Sequence, residues 1–214
     1  MSGRLMPIAL VNVAVHILGL CFALFGMRPG SPLSPFPQRM EYLAHRPLGW
    51  SLGWGVWMLC DFALVAFIFQ AARRIRNDLA FLAVGLALVG TAIDLSCDAL
   101  FIAVLPRLAA RPSGNEDIFL SAERMINTVS LVMANGLITL STATMTAALC
   151  NYLRAVPYIT GLGLAILLFG LSLSAAGFMS DPWLAEWMTG PTILSYCVWC
   201  VVVARKLDRS ELAA

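Results

Sequence analysis

The sequence predicts an all-α integral membrane protein with six transmembrane helices and both termini in the cytoplasm. The chain of 214 residues is 60% hydrophobic and only 12% charged, with a mean hydropathy of +0.82, whereas soluble domains are about half apolar and about a quarter charged. Apolar runs of about 20 residues, enough to cross a bilayer, recur between polar turns. They predict one domain over residues 1–214, with helices at 5–27, 49–72, 79–105, 118–153, 158–178 and 184–205.

The first apolar run, residues 5–27, is longer than the core of a usual signal peptide and predicts a retained helix. His16 shares one face of this helix with Asn12 and Gly19. Polar and small residues on one face are typical of helix packing, so His16 is either a packing residue or part of a site. The proline-rich stretch 28–48 is too polar to span and predicts an extended surface connection.

The second helix carries Trp50, Trp54, Trp57 and Asp61 at spacings of four, three and four, so they share one face. This pattern predicts an aromatic wall that leads to a carboxylate. Trp50 and Trp54 also suit the aromatic belt at a membrane interface, whereas Trp57 and Asp61 lie deeper in the predicted helix. The short basic turn at 73–78 predicts an antiparallel return into the third helix.

The third helix contains Asp94 and Asp98, four residues apart, with Thr91 on the same face. An ionised carboxylate in hydrocarbon costs at least about 2.5 kcal/mol, so this face is expected to look into a protein interior or a watery cavity. The two acids are therefore expected to act as one functional site. Pro106 is predicted to end the helix.

A stripe of polar side chains runs along one face of the fourth helix, and its members are Thr128, Asn135, Thr139, Thr142 and Thr146. Asn127 lies beside this stripe. Such a stripe indicates either hydrogen bonding between helices or the lining of a pore or substrate site. The glycine-rich fifth helix is interpreted as scaffold, and Pro191 is expected to kink the sixth.

Positive charge favours placing both termini in the cytoplasm, because short cytoplasmic turns are enriched in basic residues. The turns at 73–78 and at Arg154 are basic, whereas the turn at Asp181 is not. We therefore expect a multi-pass protein of the cell inner (plasma) membrane, with both termini on the cytoplasmic side.

Depth in the bilayer predicts one shared pocket. At a rise of about 1.5 Å per residue, His16, Asp61 and Asp94 all fall near the midplane, and Asp98 and Asn127 lie nearer the outer edge. The predicted catalytic residues are Asp61, Asp94 and Asp98. The predicted substrate-binding residues are His16, Trp54, Trp57, Thr91, Asn127, Asn135 and Thr139.

Composition also limits the partners. A net charge of +2 indicates no nucleic-acid surface. The six cysteines fall in or beside apolar segments, where cysteine behaves as a small hydrophobic residue. Cys197 and Cys200 form a C-x-x-C pair, but no second pair completes a zinc set. We expect neither a metal nor a cofactor.

One stretch carries a resemblance to known proteins. Residues 43–94 are predicted to form a helix, a short basic turn and a second helix. Their sequence is LAHRPLGWSLGWGVWMLCDFALVAFIFQAARRIRNDLAFLAVGLALVGTAID. This pattern resembles bacterial six-helix membrane proteins that are grouped as a domain of unknown function. The resemblance implies the six-helix fold but no catalytic residue. The predicted site is also similar in character, without shared motifs, to membrane sterol isomerases and membrane terpene cyclases.

Three functions fit these observations. The first is a membrane enzyme that performs acid–base, carbocation-type chemistry on a lipidic or isoprenoid substrate, using carboxyl groups and aromatic faces. The second is a small proton-coupled transporter, which at this length is expected to act as a homodimer. The third is an accessory membrane subunit whose polar faces only hold helices together. An apolar substrate is expected to lie between the second and third helices.

Overall fold

The computed structural model describes residues 4–45, 47–111, 116–153 and 156–212. All elements of this described part are helices. Six of its helical units are long and apolar enough to cross a membrane, which confirms the all-α class and the number of predicted spans. The six spans, in chain order, are Leu5–Gly26, Leu48–Ile75, Asp78–Ala109, Glu116–Leu153, Pro157–Met179 and Pro182–Ser210.

The individual helices are α1 (Leu5–Cys21), α2 (Phe36–His45), α3 (Pro47–Ile75), α4 (Asp78–Ala103), α5 (Leu105–Ala109), α6 (Glu116–Thr128), α7 (Asn135–Leu153), α8 (Pro157–Met179) and α9 (Pro182–Leu212). Two spans contain π-helical segments, in which each turn holds more residues than an α-helical turn. Phe22–Gly26 continues α1, and Val129–Ala134 joins α6 to α7 within the fourth span.

Helix α2 corrects the prediction of an extended connection over residues 28–48. It begins at Phe36, so that Pro37 falls in the first turn, where a proline is tolerated. Its inward face buries Arg39 and Leu43. The prolines of this region therefore set where the helix starts and do not prevent it.

The ends of two spans also differ from the predictions. Helix α4 ends at Ala103, and Pro106 lies in the first turn of the short helix α5 and so does not end the third helix. Helix α9 runs through Pro191 and continues to Leu212, beyond the predicted end at residue 205. Arg154, used above for orientation, lies outside the described residues.

The six spans form a ring in chain order. Each span packs against the next one along the chain, and α9 packs against both α8 and α1, which closes the ring. Tight turns at residues 76–77 and 180–181 make α3 and α4, and α8 and α9, antiparallel neighbours. Asn77 caps α4 by accepting a hydrogen bond of 2.8 Å from the Ala80 amide, and Asp181 caps α9 through the amides of Trp183 and Leu184.

Asp208 joins three spans at the end of the ring that carries both chain termini. Its carboxylate accepts hydrogen bonds from the Leu5 and Met6 amides, at 2.9 and 3.1 Å, and forms an ion pair of 2.6 Å with Arg74. These amides are among the unpaired donors at the start of α1. One side chain of the last helix thus holds the start of the first helix and the end of α3.

Two hydrophobic cores close the interior of the ring. The terminal core, near the chain termini, is built around Phe67, Leu149, Trp199, Val203 and Leu207. The distal core, at the opposite end, is built around Leu43, Trp50, Phe101, Leu105 and Phe119. Helices α2 and α5 add to the distal core, so both connections that cover this end are packed against the bundle.

The outer surface of the ring is apolar. Exposed side chains along the spans include Leu18, Phe62, Leu82, Leu140, Leu168 and Val198. Soluble monomers rarely expose an apolar surface of this extent. This surface fits contact with lipid tails and leaves the polar side chains of the spans to the interior.

Candidate functional site

A cavity of about 320 Å³ lies inside the ring between the two cores, and all six spans contribute to its wall. Its volume is at the lower end of the range for small-molecule sites. Nine of the ten predicted site residues line it: His16, Trp54, Trp57, Asp61, Asp94, Asp98, Asn127, Asn135 and Thr139. The tenth, Thr91, is buried in α4 but does not line the cavity.

Asp61 and Asp98 reach the cavity from α3 and α4 and are almost fully buried, with 6% and 2% of their surface exposed. The Oδ2 atom of each carboxyl group has no hydrogen-bond partner among the described residues. Buried polar groups nearly always have partners, and exceptions mark strain, function or a missing ligand. The cavity therefore presents unsatisfied acceptors.

Asp94 is held differently from the other two acids. Its Oδ1 atom accepts a hydrogen bond of 2.6 Å from the hydroxyl group of Ser130. Ser130 lies in the π-helical segment Val129–Ala134, and π-helical turns are frequent at functional sites. Sequence reasoning missed this partner because it assumed regular α-helical spacing through the whole fourth span.

All three tryptophans of α3 line the cavity and also pack in or against the distal core. Trp54 stacks on Phe101, with ring centroids 4.0 Å apart and planes 6° from parallel. Trp50 is buried and donates a hydrogen bond of 2.8 Å to the Phe101 carbonyl oxygen, so it does not belong to an interfacial belt. Trp57 lines the cavity beside Asp61. The predicted aromatic wall is present, and the stacked rings of Trp54 and Phe101 lie at its distal end.

His16 lies at a contact between two spans and also lines the cavity. Its Nδ1 atom lies 2.8 Å from the carbonyl oxygen of Asn12, and its ring lies 5.2 Å from the Tyr196 ring across the α1–α9 contact. A carbonyl oxygen can only accept, so Nδ1 carries the proton and Nε2 of the neutral ring is left as an acceptor. His16 thus packs two spans together while it lines the cavity.

Most of the polar stripe of the fourth span serves packing. Asn135 donates to the Gly170 carbonyl oxygen at 2.8 Å and to the Ser174 hydroxyl group at 2.9 Å, both on α8. The side chain of Thr139 fills the space beside Gly170, where any added Cβ would overlap it. Asn135 and Thr139 border the cavity, and the side chains of both residues also form part of the α7–α8 contact.

A buried ion pair adjoins the cavity at its distal end. Arg39 of α2 and Glu123 of α6 lie 3.2 Å apart, with 5% and 9% of their side chains exposed. The guanidinium group also lies 5.4 and 5.5 Å from the centres of the Phe36 and Phe119 rings. Glu123 lines the cavity. Sequence reasoning missed this pair because α2 itself was missed.

An apolar groove of about 530 Å³ lies on the outer surface of the ring. It runs between α4 and α6, along Ile93 and Cys97 on one side and Ile126 and Val129 on the other. The groove therefore adjoins the third and fourth spans, whereas an apolar ligand was expected between the second and third. Ile93 and Val129 precede Asp94 and Ser130, so this groove backs onto the hydrogen-bonded pair that lines the cavity.

No family model, curated protein or solved structure matches this chain. The resemblance to bacterial six-helix membrane proteins stays a prediction.

Proposed function

We propose that the protein is a membrane enzyme that performs acid–base chemistry on a lipidic or isoprenoid substrate. One observation carries the proposal: Asp61, Asp94 and Asp98 converge with aromatic side chains on a single cavity inside the ring. Carboxyl groups at several positions around one substrate can give a proton at one atom and take a proton at another. Trp54 and Trp57 offer ring faces that attract positive charge.

The reaction class follows from these groups. A carboxylic acid protonates a carbon–carbon double bond, and a carboxylate removes a proton from a neighbouring carbon of the resulting cation. The result is an isomerisation or cyclisation that needs no oxidant or reductant. Asp94, which accepts the Ser130 hydrogen bond, suits the role of proton acceptor. Asp61 and Asp98, whose Oδ2 atoms have no donor, suit the role of acid.

The groove between α4 and α6 supports access from the bilayer. It is apolar, faces outward and backs onto Asp94 and Ser130. A π-helical segment lies beside it in the fourth span. The proposal places the protein in a bacterial inner membrane, with both termini in the cytoplasm and the cavity nearer the outer face.

The test compares lipid turnover by matched variants. Extracted bacterial membrane lipids are incubated with the wild type, Asp94→Asn, Asp98→Asn and the surface control Asp117→Asn, and are analysed by mass spectrometry. We expect the wild type and the control to convert one lipid component, and the two cavity variants to lose at least 100-fold in rate. Unchanged lipids with the wild type would refute the enzyme.

A proton-coupled transporter is the second candidate. It is favoured by the ring itself, because six spans surround a cavity on the bundle axis that presents acids from α3 and α4. A transporter must open this cavity to both faces in turn. The terminal core closes one of them here. Proton-dependent uptake into sealed vesicles, with no altered lipid, would establish this second function, which we expect of a homodimer.

A further inference from the structure

The side chains of the cavity wall that can carry a charge are mainly acidic. Asp61, Asp94, Asp98 and Glu123 line it, whereas no Lys or Arg does so among the described residues. Glu123 has its own cation in Arg39, at 3.2 Å. The other three acids have no basic partner among the described ion pairs. Three carboxyl groups without a basic partner disfavour an anion in this cavity, and each of them that is ionised attracts a cation, because the low dielectric constant of the surroundings strengthens both effects.

The unpaired hydrogen-bonding atoms of the wall include the donors Nε1 of Trp54 and the Tyr196 hydroxyl group, and carboxyl oxygens that can accept. The Ser130 hydroxyl group donates to the Asp94 carboxylate. The Asn135 amide group donates to the Gly170 carbonyl oxygen and to the Ser174 hydroxyl group. The acceptors that remain include Oδ2 of Asp61 and Oδ2 of Asp98, both buried and without a partner. These oxygens call for a ligand that brings N–H or O–H donors.

Aromatic rings complete the chemistry. Trp54 and Trp57 line the same cavity as the unpartnered carboxyl groups, and ring faces attract cations most strongly where water is excluded. The rest of the wall is largely apolar, including Leu64, Ile138 and Ile166. No three His, Cys, Asp or Glu side chains of the described residues are grouped so that they could hold a metal ion. An organic cation with an apolar body satisfies both parts of this wall.

We propose that the cavity selects amphiphiles that carry a protonated amino group, with the ammonium group hydrogen-bonded to both Asp61 and Asp98 while one of the two carboxyl groups is ionised and the other keeps its proton. An ammonium group brings a positive charge, which no Lys or Arg of the described wall supplies, and N–H donors that Oδ2 of Asp61 and Oδ2 of Asp98 can accept. This inference deepens the proposed function by naming its substrate class. It rests on the site of that proposal, and it does not depend on whether the site converts its ligand.

The experiment uses three probes of nearly equal size and different charge. The full-length protein in lipid nanodiscs is titrated at neutral pH with 2-phenylethylammonium, 2-phenylethanol and phenylacetate, and empty nanodiscs correct for partitioning into lipid. We expect the ammonium compound to bind at least tenfold more tightly than the alcohol, and phenylacetate to show no saturable binding. Equal affinity for the ammonium compound and the alcohol would overturn the inference.

Matched variants locate the bound charge. Asp61→Asn and Asp98→Asn keep the side-chain volume and remove the acid, so each should weaken ammonium binding at least fivefold while binding of the alcohol stays unchanged. Asp117→Asn, on the exposed first turn of α6, should change neither. If both cavity variants weakened the two ligands equally, they would act on cavity shape, and charge selection would be refuted.

The outcome separates this inference from the proposed function. Selective ammonium binding by a protein that alters no lipid would support the inference and refute the proposed enzymatic function. Lipid conversion without any preference for the ammonium probe would refute the inference and support the proposed enzymatic function.

Discussion

The hydroxyl group of Ser130 donates a hydrogen bond of 2.6 Å to the Asp94 carboxylate from within the π-helical segment of the fourth span. In a π-helical turn the residues shift around the helix axis relative to regular α-helical spacing. The shift brings Ser130 to the cavity wall between Asn127 and Asn135. The irregular segment thus fixes the orientation of one of the three acids.

This pair predicts how Asp94 tolerates substitution. Asp94→Asn should fold, because the amide oxygen still accepts from Ser130. Asp94→Leu leaves the Ser130 hydroxyl group without its partner and should lower the free energy of unfolding by about 1–3 kcal/mol. Denaturant unfolding of the purified variants checks both values. The double variant Asp94→Leu with Ser130→Val should recover part of the loss. Failure of Asp94→Asn to fold would favour the accessory-subunit function.

The contact between α7 and α8 predicts a contrast between two glycines of one helix. A Cβ at Gly170 would overlap the side chain of Thr139, whereas nothing lies within 4 Å of a Cβ at Gly161. Gly170→Ala should therefore destabilise the protein by about 1–3 kcal/mol. Gly161→Ala should be neutral or slightly stabilising, because alanine favours helix. Thermal unfolding in one detergent measures both, and equal effects would contradict the packing described here.

Two ion pairs at the distal end predict unequal losses. Glu123→Leu leaves the buried Arg39 without its partner, so it should cost about 3–5 kcal/mol of stability. Arg28 and Glu186 lie 3.1 Å apart, but their side chains are 51% and 29% exposed. Glu186→Leu should therefore cost at most about 1 kcal/mol.

A double variant supplies the control for the buried pair. Arg39→Met with Glu123→Leu replaces both charges by apolar groups and should recover most of the loss. If this double variant were as unstable as Glu123→Leu alone, the loss would come from shape and not from an unpaired charge. Denaturant unfolding of all three proteins gives the comparison.

Sidedness is tested by labelling introduced cysteines. Thiols at Asn77 and Ser210 should react from the cytoplasmic face of intact cells or oriented vesicles, and a thiol at Ser34 should react from the opposite face. The ring with six spans places the first two positions at one end and Ser34 at the other. Reaction of Asn77 and Ser34 from one face would refute the six-span arrangement. The opposite sidedness for all three would reverse the proposed orientation.

The sequence predicts the spans, and nine residues that line the cavity, for a simple reason. Hydrocarbon length and the cost of burying charge act on each helix separately, so apolar runs and the depth of Asp61 and Asp94 can be read without knowing the packing. Convergence of nine predicted residues on one cavity then follows from a common depth and an inward-facing polar side.

The missed features depend on contacts between segments. Helix α2 has few apolar residues, and it is placed by packing Leu43 into the distal core and pairing Arg39 with Glu123. Neither partner is close in sequence. Thr91 was predicted to face the site because it lies near Asp94 and Asp98 in helical spacing. Thr91 is buried but does not line the cavity. The part of α4 that lines the cavity therefore includes Asp94 and Asp98 but not every residue on the same face of the helix.

The link that Asp208 makes to α1 has a consequence for biosynthesis. Ribosomes make the first span before the others, but one of its two neighbours in the ring and the acceptor for its leading amides belong to α9, the sixth span to be made. Until α9 enters the bilayer, the faces that carry His16 and Asp61 have no complete protein surroundings. Nascent chains arrested before Asp208 should therefore be substrates for membrane proteases or for insertion chaperones, and release of the final helix should end that vulnerability.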